Sequence, residues 1–322
     1  MPGSPRDAIL LVTASYDLSA QFVEAALRKR GARTFRFDTD RFPSAIEGSL
    51  DEEGRLLLRS QGQQVSSDDV SAVWYRRRAA PLLPDDIEPA HAEFAERESR
   101  AFITGALLCL DSTRRWVSDP TNVWRAEKKP FQLRVATSIG FDLPRTRITN
   151  DPTVVRTLAA ETTTVAKAVS SGYISRDESF ETIFTSSVSD QDLLDLSSLT
   201  IAPVTFQEHL QKRSDIRVTV VGDEAFAAEI ESQAFDSSRV DWRAAEDPRL
   251  LMHREHQLPL AVEAMCHALV DRLGLRYGAI DLVRAIDGRY YFLEINPNGE
   301  WLWLQDALGW PIADRIAAEL LA

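Results

Sequence analysis

The fold of this chain is decided by residues 279–299, which read AIDLVRAIDGRYYFLEINPNG. Apolar runs on both sides of Asp287-Gly288 predict two strands joined by a tight turn. Asp281 lies on the first predicted strand, and Glu294 and Asn296 lie on the second. Because residues two apart on a strand point to the same face, Glu294 and Asn296 share a face, and a matching register would bring Asp281 to them.

Three converging oxygen side chains are the ligands that a hard cation such as Mg²⁺ prefers, with water and phosphate oxygens completing its shell. The simpler interpretation is that acidic residues at strand ends are merely solvated. Apolar neighbours flank all three positions, and a charge among apolar side chains needs a partner. The pattern therefore favours a cation site between the two strands.

The composition is that of an ordinary globular protein. The chain has 322 residues, 44% of them hydrophobic and 27% charged, which suggests two or three domains or one large α/β body. Its formal charge of −12 argues against general binding to nucleic acid or to an anionic membrane.

Cellular location is indicated by the cysteines and by the apolar segments. Cys109 and Cys266 lie in apolar helical stretches and predict buried thiols in a reducing compartment. The apolar run 8–12 is too short to cross a membrane and lacks a signal-peptide pattern. We therefore expect a cytoplasmic protein.

The first part of the chain reads as the start of a parallel sheet. Residues 8–12 form an apolar strand, 17–30 an amphipathic helix and 34–38 a second strand. The predicted apolar face of that helix consists of Phe22, Ala25 and Ala26. The turn 13–16 contains no glycine, so the dinucleotide-binding fingerprint is absent. After a polar stretch at 111–123, we predict a helix over 126–139.

Two lysines lie where an anion would be a suitable partner. Lys129 is at a predicted helix start, and Lys167 ends an apolar strand. Burying a lysine is costly unless its charge is compensated, and phosphate would compensate it. Snorkelling of Lys167 to solvent explains the pattern equally well. The following Ser170-Ser171-Gly172 predicts either a loop whose backbone N–H groups face phosphate oxygens or a simple turn.

Two further segments carry polar groups suited to a nucleotide. The strand that ends at Phe206-Gln207-Glu208 could offer backbone groups to an adenine edge. Asp215 could bind ribose hydroxyls, and Arg217 could offer planar donors to a phosphate or carboxylate. A surface ion pair between Asp215 and Arg217 is the alternative.

Two motifs contain arginine next to aromatic residues. Trp74-Tyr75-Arg76-Arg77-Arg78 predicts either a contact with an acidic peptide or phosphate, or a solubilising sheet edge. In Asp241-Trp242-Arg243, Arg243 either reaches an anion that develops in an active site or only pairs with Asp241. The sequence contains no zinc-site spacing, Walker A motif or nucleophile-and-base pattern.

Taken together, these residues resemble the ATP-grasp superfamily. Their order along the chain is Lys129, Lys167, Glu208, Asp215-Ile216-Arg217, Asp281 and Glu294-x-Asn296. The resemblance implies an α/β (α+β) ATP-grasp fold that follows an N-terminal β-α-β domain. We expect a pre-ATP-grasp domain over 1–119, a central lysine-bearing subdomain over 120–205 and a C-terminal metal-binding subdomain over 206–322.

Further motifs narrow the resemblance to the microviridin-type (graspetide) maturases, which macrocyclise ribosomally made precursor peptides. These motifs are Gly299-Glu300-Trp301-Leu302-Trp303, Lys129-Pro130-Phe131-Gln132-Leu133, the Trp74 to Arg77 run and Asp241-Trp242-Arg243. The resemblance implies activation of peptide Asp or Glu side chains by ATP as acyl phosphates. Ser, Thr or Lys side chains of the same peptide would then displace phosphate and close ester or amide rings.

The resemblance also implies a role for each candidate residue. ATP would be bound by Lys129, Lys167, Glu208, Leu210 and Asp215. Two Mg²⁺ ions would be bound by Asp281, Glu294 and Asn296. The catalytic arginines would be Arg217, near the transferred phosphate, and Arg243, near the acceptor. The acidic precursor peptide would contact Arg76, Arg77 and Arg78. We expect a homo-oligomer, a dimer or larger, that binds neither nucleic acid nor membrane.

Two other functions compete with this one. A different ATP-grasp ligase, similar to glutathione synthetase or to the glutamate ligases of ribosomal proteins, would use the same ATP site with free amino acids or peptide termini. A non-catalytic module would bind nucleotide or peptide without releasing ADP. The three intact candidate metal ligands argue against the non-catalytic module.

Overall fold

The computed structural model describes residues 6–110, 114–170, 172–176, 179–245 and 251–322. Ser171 of the predicted loop lies outside these described residues. The helices are α1 Leu18–Lys29, α2 Pro89–Cys109, α3 Pro120–Ala126, α4 Lys129–Ile139, α5 Pro152–Glu161, α6 Asp190–Leu194, α7 Leu260–Arg272, α8 Leu302–Leu308 and α9 Ile312–Leu321.

The strands form several sheets, and they are numbered in the order in which they occur along the chain. The N-terminal half contributes β1 Ala8–Thr13, β2 Arg33–Asp38, β3 Glu47–Leu50, β4 Leu56–Ser60, β5 Gln63–Ser66, β6 Val70–Tyr75, β7 Arg115–Val117 and β8 Thr146–Thr149. The remainder contributes β9 Thr164–Lys167, β10 Tyr173–Arg176, β11 Ser179–Thr182, β12 Ser186–Ser187, β13 Val204–Glu208, β14 Lys212–Val221, β15 Glu224–Ile230, β16 His253–Glu255, β17 Tyr277–Ala285 and β18 Tyr290–Asn296.

The N-terminal sheet runs in the order β2-β1-β6-β7, and its neighbouring strands are parallel. This confirms the predicted β-α-β start. Asp17 caps α1 by accepting a hydrogen bond from the backbone N–H of Ala20, which satisfies a donor that the first helical turn leaves free. A separate antiparallel sheet, β3-β4-β5, packs beside it through Leu56 and Leu58.

Two antiparallel sheets follow, and they bring the candidate site together. The smaller one runs β12-β9-β13-β8 and carries Lys167 at the end of β9. The larger one runs β16-β15-β14-β17-β18. On β14, Ile216, Val218 and Val220 join the main hydrophobic core, so the alternating side chains of Asp215 and Arg217 face the other side.

One hydrophobic core connects the N-terminal sheet with the large antiparallel sheet. It contains Val12 and Tyr75 from the first sheet and Val218 and Phe292 from the second. Burial of apolar surface is the main favourable contribution to folding. These two parts of the chain therefore stabilise each other through shared apolar contacts.

Three sequence expectations differ from the structure. The helix predicted over 126–139 is two helices, because Lys128 is extended and Pro130 lies in the first turn of α4, where proline is favoured. The buried face of α1 is formed by Ala20, Val23, Ala26 and Leu27, whereas Phe22 is 44% exposed. Cys109 is exposed rather than buried, because α2 ends there.

The predicted boundary between residues 205 and 206 falls inside β13, and the domain limits stay a prediction. Within the described part of the chain, no helix combines the length and apolarity that crossing a membrane would require.

Candidate active site

The opening hairpin brings the three candidate metal ligands together. Asp281 is the direct cross-strand partner of Glu294, and Ala279 is that of Asn296. The amide nitrogen of Asn296 lies 3.3 Å from a Glu294 oxygen and 3.5 Å from an Asp281 oxygen. The predicted convergence of these three side chains is therefore confirmed.

Each carboxylate faces a cation from a distant part of the chain. Lys129 Nζ lies 2.5 Å from Glu294 Oε2, and Arg217 Nη1 lies 3.3 Å from Asp281 Oδ1. Lys129 occupies the first turn of α4, and Arg217 is the register partner of Asp281 on β14. Paired charges of this kind offset the cost of burying carboxylates.

The two carboxylates have opposite pKa shifts. Burial opposes ionisation of Glu294, but the charges of Lys129, Lys167 and Arg243 outweigh it and lower the pKa of Glu294 to about 2. For Asp281, burial dominates over the Arg217 charge, and with repulsion from Glu294 it raises the pKa to about 6. Glu294 is thus held ionised by its neighbours, whereas the ionised form of Asp281 would be stabilised by an added cation.

Lys167 stands beside this pair on the neighbouring sheet. Its Nζ donates to Gln207 Oε1 at 2.9 Å, and the Gln207 amide donates in turn to Thr146 Oγ1 at 2.8 Å. Burial lowers the pKa of Lys167 to about 8, with the Glu294 charge acting in the opposite direction. The lysine is held by a neutral amide, so its charge is free to meet an anion.

A cavity of about 1550 Å³ opens over these residues. Its wall includes side chains from α4, from both antiparallel sheets, from α8 and from the turn at 242–244, namely Lys129, Lys167, Asp215, Arg243, Asp281, Glu294, Asn296, Trp303 and Asp306. The space exceeds what a nucleotide-sized ligand requires. Asp215 lies in this wall, but its carboxylate accepts from Lys212 Nζ at 2.6 Å.

Arg243 lies on a short turn at the cavity wall. Its Nε and Nη2 both donate to the Asp241 carboxylate at 2.9 Å, and its Nη1 lies 4.0 Å from Glu294 Oε1. Burial of Asp241 is opposed by the two bonds from Arg243, which lower the pKa of Asp241 to about 2. Of the two sequence interpretations of Arg243, the Asp241 pair is therefore present, and the guanidinium also borders the cavity.

Glu208 and Leu210 lie at the end of β13 and just beyond it, and both are half-buried. The Glu208 carboxylate accepts from the backbone N–H of Arg145 at 3.2 Å and from its Nε at 3.3 Å. Neither residue belongs to the described part of the cavity wall. Their assignment to adenine stays a prediction.

The three arginines after β6 have different surroundings. Arg76 is 2% exposed and lies 2.8 Å from Glu300 Oε1, so its burial conflicts with the predicted direct contact to a bound peptide. Arg77 is half-exposed and pairs with Asp17 at 2.9 Å. Arg78 is exposed and donates to Thr104 Oγ1 at 2.9 Å.

Two glutamines that sequence reasoning missed support the site. Gln132 donates to the Ile295 carbonyl at 2.7 Å and accepts from the Ile295 N–H at 3.2 Å, which fixes the residue between the two ligands of β18. Gln207 holds Lys167, as described above. Gln132 lies in the Lys129-Pro130-Phe131-Gln132-Leu133 motif, but no local signal showed which backbone it would bind.

An aromatic wall was also missed. The rings of Trp242 and Trp303 lie 5.5 Å apart, and the ring of His253 lies 4.9 Å from that of Trp303. All three residues border the cavity. Each comes from a different part of the chain, so their spacing in the sequence carries no pattern.

The donor set fits Mg²⁺. The two carboxylates supply hard oxygen ligands. Rotating the Asn296 side-chain amide by about 180° would exchange its nitrogen for its oxygen, which is also a hard ligand. Nucleotide phosphates and water would fill the remaining coordination positions. Among the described residues, no group of three or more His, Cys, Asp or Glu side chains could hold a metal. A site with so few protein ligands is typical of Mg²⁺ bound together with a nucleotide.

The chain is similar to known proteins over almost its full length. The family model "MvdD pre-ATP grasp domain" matches residues 8–124. The macrocyclase MdnC from Microcystis aeruginosa MRC, solved with precursor peptide MdnA, is 34% identical with a TM-score of 0.86, and the match covers 98% of this chain and 99% of that one. No curated protein matches the sequence.

Two more solved structures are similar to this chain over almost its full length. A RiPP-associated ATP-grasp ligase from Chryseobacterium gregarium, in complex with ADP and a leader and core peptide, is 29% identical with a TM-score of 0.90, covering 98% of this chain and 96% of that one. The macrocyclase MdnB from Microcystis aeruginosa MRC is 31% identical with a TM-score of 0.81, covering 98% and 99%.

Fold and site together define an ATP-grasp enzyme, that is, an ATP-dependent ligase. Within that class, the chain belongs to the graspetide-type ATP-grasp maturases of ribosomally made peptides.

Proposed function

We propose that this enzyme closes ester or amide rings in a ribosomal precursor peptide, at the expense of ATP. The observation that carries the proposal is the Asp281–Glu294–Asn296 cluster, which lines a cavity of about 1550 Å³ and whose carboxylates pair with Lys129 and Arg217. The remaining space accommodates a peptide segment beside the nucleotide. MdnC and the Chryseobacterium ligase, both similar to this chain, were solved with peptides bound.

The chemistry has two steps. A peptide Asp or Glu carboxylate accepts the γ-phosphoryl group of ATP, which gives an acyl phosphate and ADP. A Ser or Thr hydroxyl, or a Lys amine, then attacks the acyl carbon, loses its proton and expels phosphate. Each ring therefore removes one water from the peptide overall.

This chain's residues bind and orient the reactants in both steps. Lys129 and Lys167 hold the phosphate oxygens, and Asp215 holds the ribose, with the end of β13 at the adenine. Arg217 and Arg243 stabilise the negative charge that spreads during phosphoryl transfer, which depends mainly on positioning and electrostatics. Asp281, Glu294 and Asn296 would hold two Mg²⁺ ions, whose positive charge offsets that of the phosphates.

Acidic peptides need a basic contact on a protein of net charge −12. Arg77 and Arg78 are the residues that we propose for this contact, since both are accessible at the end of β6. We also propose a cytoplasmic homo-oligomer, a dimer or larger, that acts without nucleic acid or membrane. A short gene beside this one, encoding repeated Thr, Ser and Asp or Glu, would supply the substrate.

Hydroxylamine trapping tests the proposal against its two rivals. The purified enzyme is incubated with ATP, Mg²⁺, hydroxylamine and the peptide encoded beside its gene. We expect hydroxamates on Asp or Glu side chains of the peptide, because hydroxylamine intercepts acyl phosphates. Hydroxamates on free amino acids alone would favour the free-amino-acid ligase, and the absence of ADP and of hydroxamate would favour the non-catalytic module.

A further inference from the structure

The segment that follows Asn296 is held by the N-terminal domain. At the end of β6, Arg76 Nη1 donates to the carbonyl of Asn298 and lies 3.5 Å from that of Gly299. The same guanidinium lies 2.8 Å from Glu300 Oε1 and 3.4 Å from Asp17 Oδ2. Three consecutive residues after the metal-binding strand therefore contact a single buried side chain, which Asp17 also contacts from within the N-terminal domain.

The same segment is also fixed by β17. Tyr277 donates its hydroxyl to the Gly299 carbonyl at 2.8 Å. A Cβ on Gly299 would lie only 2.4 Å from the Cβ of Ala279, and Ala279 is the direct cross-strand partner of Asn296. The segment is thus packed against β17, and Tyr277 and Arg76 both contact the Gly299 carbonyl.

The charge of Arg76 is compensated within this contact. Its side chain is 2% exposed, and that of Asp17 is 3% exposed. Arginine alone offers five donors in a rigid planar fork, whereas lysine offers one compact ammonium. A lysine at this position would keep the charge and lose the simultaneous contacts with the carbonyls and both carboxylates.

We propose that Arg76 is a positioning residue for the metal site. It holds the backbone at 298–299, and with it the orientation of Asn296, while touching neither nucleotide nor metal. The N-terminal domain thereby takes part in the site that the C-terminal hairpin builds. This inference rests on the proposed role of Asn296 as a metal ligand.

The test is Mn²⁺ binding in the presence of ADP, measured as loss of the free-Mn²⁺ signal in electron paramagnetic resonance. The variants are Arg76→Lys and, as a milder change, Glu300→Gln. We expect Arg76→Lys to weaken Mn²⁺ binding by roughly 10- to 100-fold, the range for residues that orient metal ligands. Glu300→Gln leaves the Arg76 guanidinium in place, so it should weaken Mn²⁺ binding to a smaller extent.

Arg114→Lys is the matched control. Arg114 is also buried in the N-terminal domain, and it donates to the carbonyls of Ser67 at 2.7 Å and Val70 at 3.2 Å. Its replacement should lower the melting temperature and leave Mn²⁺ affinity unchanged. The inference is overturned if wild type binds Mn²⁺ with ADP and both Arg76→Lys and Glu300→Gln bind it equally well. If wild type itself binds none, the metal assignment fails and the inference with it.

Discussion

Glu294 is a buried carboxylate surrounded by positive charges. It lies among three cations, and their charges keep its pKa near 2 despite burial. Asp281, on the neighbouring strand, has a pKa of about 6, because the charges of Arg217 and Arg243 do not outweigh its burial. At physiological pH Glu294 is therefore ionised, and a bound cation would lower the raised pKa of Asp281.

Glu294→Gln should abolish ADP formation while the protein stays folded. The glutamine amide keeps the shape of the side chain and loses the negative charge that binds metal. We expect the rate of ADP formation to fall by about 100-fold or more, as it does when an important electrostatic group is removed from an active site. ADP release is measured with peptide, ATP and Mg²⁺ present. Glu229→Gln is the control, since Glu229 pairs with Arg284 at 3.5 Å on the other face of the same sheet. Turnover retained in Glu294→Gln would disprove the metal assignment.

The pKa of Lys167 gives nucleotide binding a pH dependence. With a pKa of about 8, the free protein carries the ammonium charge below pH 8 and loses it above. Binding of phosphate above pH 8 then requires uptake of one proton, so affinity for Mg²⁺–ADP should fall by up to about tenfold per pH unit. Isothermal titration at pH 7 and pH 9 measures this fall.

Lys167→Arg is the control for that measurement, because arginine stays charged across this range. Its affinity should change far less between pH 7 and pH 9 than that of wild type. A wild-type affinity that is equal at both pH values would contradict a phosphate contact by Lys167.

Among the elements, the hairpin of β17 and β18 was predictable and its partners were not. An Asp-Gly turn and alternating side chains are local signals, and they fix which residues share a face. Lys129, by contrast, meets Glu294 across 165 positions, and no local pattern encodes that contact. The resemblance to a known family, rather than spacing, connected the two.

Helix α1 shows the limit of pattern reading at this scale. A face containing Phe22 looked apolar, yet the side that packs is lined by Ala20, Val23 and Leu27. Phe22 and Ala25 of the predicted face are exposed, so the apolar character of a side chain was a poor guide to its burial. Here tertiary packing decided between two similar faces.

Gln132 connects α4 to β18 through two hydrogen bonds to Ile295. Gln132→Ala leaves a buried N–H and a buried carbonyl without their partner, which should cost about 1–3 kcal/mol in the free energy of unfolding. Urea denaturation measures this loss. Thr137→Ala on the same helix is the control, since the exposed Thr137 bonds only a carbonyl of its own helix. Equal stability of the two variants would contradict the role of Gln132.

At Gly299 the loop after β18 lies close against β17. Gly299→Ala would place a methyl group 2.4 Å from the Cβ of Ala279, and we expect it to cost about 1–3 kcal/mol, as overpacking does. Gly105→Ala is the control, because nothing lies within 4 Å of a Cβ there. Within α2, that change should stabilise the protein by about 0.5–1 kcal/mol. A neutral Gly299→Ala would contradict the close packing.

At the scale of the whole molecule, the site is assembled from parts that are far apart in the chain. The small antiparallel sheet supplies Lys167, α4 supplies Lys129, and the large sheet supplies the acidic ligands. The N-terminal sheet shares a core with the large sheet and reaches the site through Arg76. The sequence motifs identified these contributors, whereas their distances and the aromatic wall depend on tertiary packing.

As a whole molecule, this enzyme is proposed to remove water from a peptide and so to form rings. The most direct test is mass spectrometry of the peptide encoded beside its gene, after incubation with enzyme, ATP and Mg²⁺. We predict products lighter than the precursor by a whole number of water molecules, one for each ring, with one ADP released per ring. An unchanged peptide mass, while free amino acids drive ADP formation, would contradict the account.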